Sequence, residues 1–204
     1  MPSLSVCAVI LAAGESTRMG SDKALLPWQG STFLGSSIQA LQPFADYVIV
    51  VAGKNAPKLE PVVDSLGAYM VVNPHPELGQ FSSLRVGLRE VLNRGRDTAI
   101  VSLVDRPAPS RETLRQLRDA YFEASERDKW VLIPQYEQRH GHPIIIGPGM
   151  LTKLVAAAPT SNAREIMHQY QERIEYLAVP DPLVVANINT PEQYADLKSR
   201  QYGV

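Results

Sequence analysis

Leu11-Ala-Ala-Gly-Glu-Ser-Thr-Arg-Met-Gly-Ser-Asp-Lys23, which closes the apolar run Val6-Cys-Ala-Val-Ile-Leu11, joins a strand-like segment to a glycine-rich loop carrying two cations. Such a loop suits the phosphates of a nucleoside triphosphate. Gly14 and Gly20 allow close backbone approach, so main-chain N–H groups can point at phosphate oxygens, while Arg18 and Lys23 supply positive charge. The two common nucleotide fingerprints do not fit. A dinucleotide loop reads G-x-G-x-x-G and a Walker loop reads G-x-x-x-x-G-K-[ST], whereas five residues separate Gly14 from Gly20 and Ser21-Asp22-Lys23 follows.

Outward from this loop, residues 6–11, 47–51, 69–72, 99–104 and 131–133 form short apolar, β-branched runs that read as fully buried strands. Residues 33–41, 59–65, 83–92 and 113–122 space their apolar side chains three and four apart, as helices covering a sheet do. The alternation predicts an α/β fold: a three-layer α/β/α, Rossmann-like arrangement with a mostly parallel central sheet, spanning residues 1–204 as one domain. In such sheets ligands bind beyond the carboxyl ends of strands, which directs attention to the Gly14 loop, Ala52-Gly53, Asn73-Pro74 and Asp105. The Gly/Pro-rich stretch 141–149 reads as an insertion that returns as a strand and begins a substrate-facing subregion.

With 204 residues, 45% of them hydrophobic, the chain can bury a full core, and its net charge of −1 argues against an extended nucleic-acid or acidic-membrane surface. Phosphate binding must therefore be local. The single Cys7 lies in the first apolar run and reads as a small hydrophobe. Met1-Pro-Ser-Leu-Ser5 has no cationic segment, and the apolar run after it is too short to span a bilayer, so a cytoplasmic location is expected.

A second motif, Ile100-Val-Ser-Leu-Val-Asp-Arg-Pro107, places a carboxylate at a strand exit. Magnesium bridging nucleotide phosphates takes hard oxygen ligands, often only one or two from protein, so Asp105 can anchor it. A turn or helix-capping Asp is the alternative, but Ser110 is better placed to cap residues 113–122. Arg106 either contacts phosphate or faces solvent. A third stretch, Asn73-Pro-His-Pro-Glu-Leu-Gly-Gln-Phe-Ser-Ser-Leu-Arg-Val-Gly-Leu88, enters a helix through Ser82 and Ser83, one of which is expected to cap it. Thr190, Pro191 and Gln193 predict a capping box for a last helix. His75, His140 and His142 do not form a zinc pattern, since neither a helical i, i+4 pair nor a cysteine cluster accompanies them, and His168 reads as a surface residue.

These motifs resemble those of the MobA-like nucleotidyltransferases, whose loop reads L-A-A-G-x-S-x-R-M-G-x-x-K. Asn73–Leu88 is similar to the N-P-x-x-x-x-G-x-x-S-S-L-R-x-G-L segment of molybdenum cofactor cytidylyltransferases, Gly141-His142-Pro143 to their G-H-P element, and Asn187-Ile-Asn-Thr-Pro-Glu-Gln193 to their terminal D-I-D-T-P-E-D. The family carries Gly-Asp-Gln-Pro or a related tetrapeptide where this chain has Val104-Asp-Arg-Pro107. The resemblance implies transfer of CMP from CTP to the terminal phosphate of molybdopterin, with Mg2+ and release of pyrophosphate. It assigns Leu11, Ala12, Ala13, Gly14, Arg18, Lys23 and Ser82 to the nucleotide, Ser83, Arg85 and His142 to the acceptor, Asp105 and Asn189 to the metal, and Arg18, Lys23 and Asp105 to catalysis. The Ala12-Ala13-Gly14 start and Leu26-Pro-Trp28 lean towards CTP. Asn187 and Asn189 stand where cytidylyl enzymes commonly have aspartates and guanylyl enzymes asparagines, so GTP is the runner-up. A third choice is cytidylyl transfer to another phosphorylated small molecule. A non-catalytic module that delivers cofactor to a molybdoenzyme partner is a further alternative. An NAD-dependent oxidoreductase would need an acidic residue ending the second strand, which Val51-Ala-Gly53 does not supply.

Overall fold

The computed structural model describes residues 5–14 and 22–201 of the chain. Val6–Leu11 forms β1, buried along its whole length because its six apolar side chains meet helices on both faces of the sheet. Pro27–Trp28 (β2) and Ser31–Thr32 (β3) make a short antiparallel hairpin before α1 (Phe33–Leu41). There follow β4 (Tyr47–Ala52), α2 (Ala56–Ser65), β5 (Tyr69–Val72), α3 (Gln80–Asn93), β6 (Thr98–Leu103) and α4 (Arg111–Glu126). The second half contains β7 (Val131–Tyr136), β8 (Arg139–His140), β9 (Ile144–Ile146), α5 (Pro148–Ala156), α6 (Ala163–His168), β10 (Ile174–Ala178) and α7 (Pro191–Gln201).

The main sheet runs β10-β7-β9-β6-β1-β4-β5, with β8 paired to β7. β4, β5 and β6 extend β1 in parallel, and β10 is parallel to β7. β9 lies antiparallel between β6 and β7. Two consequences position the site. After β5 the chain returns to the other side of β1 to make β6, so the β1 and β6 exits diverge and leave a crevice at their carboxyl ends. Because β9 runs backwards, its entry, residues 141–143, lies at that same edge.

Strand alternation divides the core into two layers. Ala8, Ile10, Val48 and Val50 pack with Leu34 and Ile38 of α1, Leu59 and Val63 of α2 and Leu114 and Leu117 of α4. Cys7, Val9, Ile49 and Val51 pack with Leu84 and Leu88 of α3 and Met150 and Leu154 of α5. At Gly87 α3 comes so close that a Cβ would stand 2.5 Å from Val9 Cγ1 and 2.9 Å from Val51 Cγ2. Burial pushes the Cys7 thiol up to about 11, the behaviour of a small core hydrophobe.

The mostly parallel α/β/α architecture agrees with the sequence reading; one strand differs in burial. β5 is an edge strand rather than a fully buried one: Tyr69 is 44% and Val72 52% exposed, because only β4 flanks it. The returning strand expected within 141–149 is β9. Among the described residues, no helix is long and apolar enough to cross a membrane.

Candidate active site

Asp105 follows β6 in a turn closed by a bond from Arg106 N to Leu103 O at 3.0 Å, and Val104 N donates to Leu11 O at 3.1 Å, tying the β6 exit to that of β1. Lys23 stands across the crevice. Its Nζ donates to Asn189 Oδ1 at 2.8 Å and lies 3.7 Å from Asp105 Oδ2, with its side chain 14% exposed and that of Asp105 30% exposed. Two hard oxygens thus already hold one cation at the strand exits. That donor chemistry fits a magnesium ion, which keeps most of its shell for water and phosphate. Among the described residues no three His, Cys, Asp or Glu side chains gather as a protein-only metal cage, so such an ion would be held by few protein ligands.

The position of Lys23 follows from local chemistry. Asp22 caps the short 3-10 turn Lys23–Leu25, its Oδ1 accepting from Ala24 N at 3.1 Å. Its Oδ2 accepts from Asn55 Nδ2 at 2.8 Å, and the same amide donates to Ala12 O at 2.9 Å. Asn55 Oδ1 accepts from Gly53 N at 3.0 Å. One asparagine therefore binds the exits of β1 and β4 to the Lys23 turn. Ala13 packs against Gly53, where an added Cβ would meet Ala13 O at 2.9 Å and Ala13 Cβ at 3.3 Å. Leu11 and Ala12 are buried at the strand end, and Gly14 has open space around it. Arg18 lies outside the described residues.

Asn189 reaches the site from the far end of the chain. Ile188 N donates to Asp105 O at 2.9 Å, and Ile188 packs with Trp28 and Phe33, whose rings stack at 5.3 Å, in a cluster that Tyr194 of α7 borders. Tyr194 Oη donates to Pro27 O at 2.6 Å. The expected capping box is present with one shift. Thr190 Oγ1 accepts from Gln193 N at 3.3 Å, while Gln193 Oε1 accepts from the N–H of Asn189 rather than of Thr190, at 2.7 Å. That bond braces Asn189 itself.

Ser82 and Ser83 depart from expectation: neither caps α3, whose N-cap is Gly79 at φ +92°. The helix starts earlier, at Gln80, so both serines lie in its first turn and are buried. Asn73 Nδ2 donates to Ser82 Oγ at 2.8 Å and Ser83 Oγ at 3.0 Å, and Asn73 Oδ1 accepts from His75 N at 3.0 Å. The hydroxyls thus brace the loop between β5 and α3. Arg85, expected towards the acceptor, donates from Nη2 to Val155 O in α5 at 3.1 Å, joining two helices. Ser110 caps α4 as expected, accepting from Thr113 N at 3.1 Å.

On the β9 flank of Asp105 stand Arg106 and His142. His142 N donates to Val184 O at 2.8 Å and Gly141 N to Pro134 O at 2.8 Å. A Cβ on Gly141 would lie 2.4 Å from Val184 O, so glycine is required by the close approach. Burial, aided by the Arg106 charge, pushes the His142 imidazole down to about 3, which makes it neutral at physiological pH. It is therefore an inward-facing residue and not a solvent-exposed loop histidine. Arg106 Nε and His142 Nδ1 are both buried without a hydrogen-bond partner among the described residues. Arg106 does not simply face solvent, and burial lowers its pKa against the opposing pull of Asp105.

The sequence reading missed Asn55 and the structural use of Asn73. The signal for each was an Asn just after a strand, where side-chain amides satisfy loop backbone groups. A separate cavity of about 610 Å³ lies at the start of α4, lined among others by Gln29, Ser110, Arg111 and Asp181. The Asp181 carboxylate already accepts from Ser110 N, Thr113 Oγ1 and Leu183 N, and the lining includes none of Lys23, Asp105 or Asn189.

Comparison with known proteins agrees with this geometry. The MobA-like NTP transferase domain matches residues 8–174. The molybdenum cofactor cytidylyltransferase of Escherichia coli K12 is 24% identical over 200 residues, covering 96% of this chain and 97% of its own. The molybdenum cofactor guanylyltransferase of Xanthomonas euvesicatoria is 29% identical over 191 residues, covering 93% and 92%. The crystal structure of Rv0371c from Mycobacterium tuberculosis H37Rv superposes with a TM-score of 0.81 at 27% identity, over 97% of this chain and 98% of that one; the same protein has also been solved in complex with manganese. A domain match running from β1 to the start of β10, on a mostly parallel sheet with a crevice at its switch point, establishes that the chain belongs to the MobA-like NTP transferase family and is a nucleotidyltransferase.

Proposed function

We propose that this enzyme transfers CMP from CTP to the terminal phosphate of molybdopterin and releases pyrophosphate. The observation that carries the reading is the meeting of Lys23, Asp105 and Asn189 at the β1 and β6 exits, together with relatives named for molybdenum cofactor nucleotidyl transfer. Lys23 and the amides of the β1 loop bind the triphosphate, with Arg18 assigned there by its place in the loop motif. Magnesium held by Asp105, with Asn189 as a neutral second ligand, would supply charge neutralisation between the two phosphates. Once the triphosphate arrives, the Lys23 ammonium exchanges its bonds to these oxygens for phosphate oxygens. An oxygen of the acceptor phosphate forms a bond to the α-phosphorus as the bond to pyrophosphate breaks in line. No protein nucleophile is required, because the acceptor phosphate is already ionised at neutral pH.

Ala13 supports cytidine on size: where a glycine would leave room, its methyl narrows the space at the loop and disfavours a purine. The guanylyl reading draws on Asn187 and Asn189 and on the 29% identity to a guanylyltransferase. Pyrophosphate release with magnesium and molybdopterin separates the two. Release with CTP alone, lost in Asp105→Ala, supports the cytidylyl reading, and a preference for GTP replaces it with the guanylyl one. Triphosphate binding without release in either case sinks molybdopterin as acceptor.

A further inference from the structure

The flank of Asp105 that faces β9 carries the positive charge of Arg106. Asp105 is 3.7 Å from Lys23 on the opposite flank. The Arg139 charge acts on Arg106, and the Arg106 charge acts on His142. Arg106 Nε and His142 Nδ1 are sealed from solvent yet make no hydrogen bond among the described residues. A buried polar atom left unpaired costs stability comparable to a lost hydrogen bond, and these two belong to side chains near enough to interact electrostatically beside Asp105, which points to a place completed by a ligand. The ligand's chemistry follows from the donors. A guanidinium presents a planar fork that matches the oxygens of a phosphate, and a neutral imidazole in the tautomer protonated at Nδ1 adds one N–H without competing charge.

The backbone holds both groups in place. Arg106 N closes the turn after β6, and Pro107 follows at once. His142 is pinned through Val184 O, with Gly141 too tightly packed to accept a side chain. Resting on the reading above, we propose that Arg106, with His142 beside it, binds the phosphate monoester of the acceptor on the β9 flank of Asp105 and so sets the position of the attacking oxygen, while Lys23 serves the triphosphate on the β1 flank.

The test compares wild type, Arg106→Gln and Arg106→Lys by calorimetric titration with two probes: phenyl phosphate as a simple monoester, and CTP with magnesium. Arg106→Gln is expected to weaken phenyl phosphate about tenfold or more and to leave CTP within about twofold; Arg106→Lys, which keeps the charge and loses the fork, falls between. With molybdopterin and CTP, the KM for molybdopterin rises and that for CTP does not. Failure of wild type to bind the monoester, or equal monoester affinity in wild type and Arg106→Gln, overturns the assignment. A parallel loss of CTP affinity also overturns it and moves Arg106 to the triphosphate. Monoester binding is read without turnover, so an Arg106-sensitive titration in a protein inactive with molybdopterin sinks only that acceptor. Thermal melting checks folding, and Arg106→Lys carries the comparison should Arg106→Gln not fold.

Discussion

On the β1 flank of Asp105 the polar groups Lys23, Asp22, Asn55 and Asn189 all have hydrogen-bond partners, whereas on the β9 flank Arg106 Nε and His142 Nδ1 have none among the described residues. The first flank is braced from within: Asn55 alone ties together two strand exits and the Lys23 turn. The second keeps its donors dry and unpaired, which costs folding stability but leaves them ready for a ligand that brings its own acceptors. The difference lies in how each flank is made. Parallel strands β1, β4 and β6 deliver one, and the backward-running β9 delivers the other against the Val184 carbonyl.

Four changes break or sharpen this division. Asp105 is shared by both flanks, so Asp105→Ala is expected to lower kcat about a thousandfold, measured as pyrophosphate release, with triphosphate binding retained. Lys23→Ala should lower kcat/KM for the triphosphate about ten- to a hundredfold and leave the acceptor KM unchanged; an equal rise in both KM values would show that the flanks are not separate. The third change concerns protons. His142 is pushed down to about 3 in the folded chain from an ordinary value near 6.5, so its contribution to stability is full above pH 6.5 and falls as pH drops towards 3. Urea unfolding should show a loss of about 2 kcal/mol from this group between pH 6.5 and 5, absent in His142→Gln. Smallest is Ser110→Ala, which removes the α4 cap at a cost of about 1 kcal/mol and moves neither KM, since the cap touches neither flank.

Some of this organisation is legible one residue at a time. The apolar runs named every long strand on the β1 side, since a strand buried on both faces must be apolar throughout, and the loop after β1 named Lys23. The helix ends were less visible. Ser82 and Ser83 look like caps in a string, yet Gln80 starts α3, because Gly79 adopts φ +92° and the hydroxyls are needed inside to satisfy Asn73. β5 reads as buried because its residues are apolar; its edge position depends on a strand order that no local pattern carries. β10, α5 and α6 go beyond the elements read from the sequence, although α5 buries Met150, Leu151 and Leu154 at helical spacing.

By itself the sequence determined that an apolar strand leads into a glycine-rich loop carrying two cations, that an aspartate stands at another strand's exit, and that the chain alternates strands with helices. Those are properties of neighbours along the chain, expressed through hydrophobic period, backbone freedom and charge. Only the tertiary structure decided that Asn189 reaches Lys23 across 166 residues, because that meeting depends on Ile188 packing with Trp28 and Phe33 and on its bond to Asp105 O. Only the tertiary structure also decided that Arg106 and His142 are buried together without partners. Their pairing arises from β9 running backwards between β6 and β7, a choice made by the packing of the whole sheet.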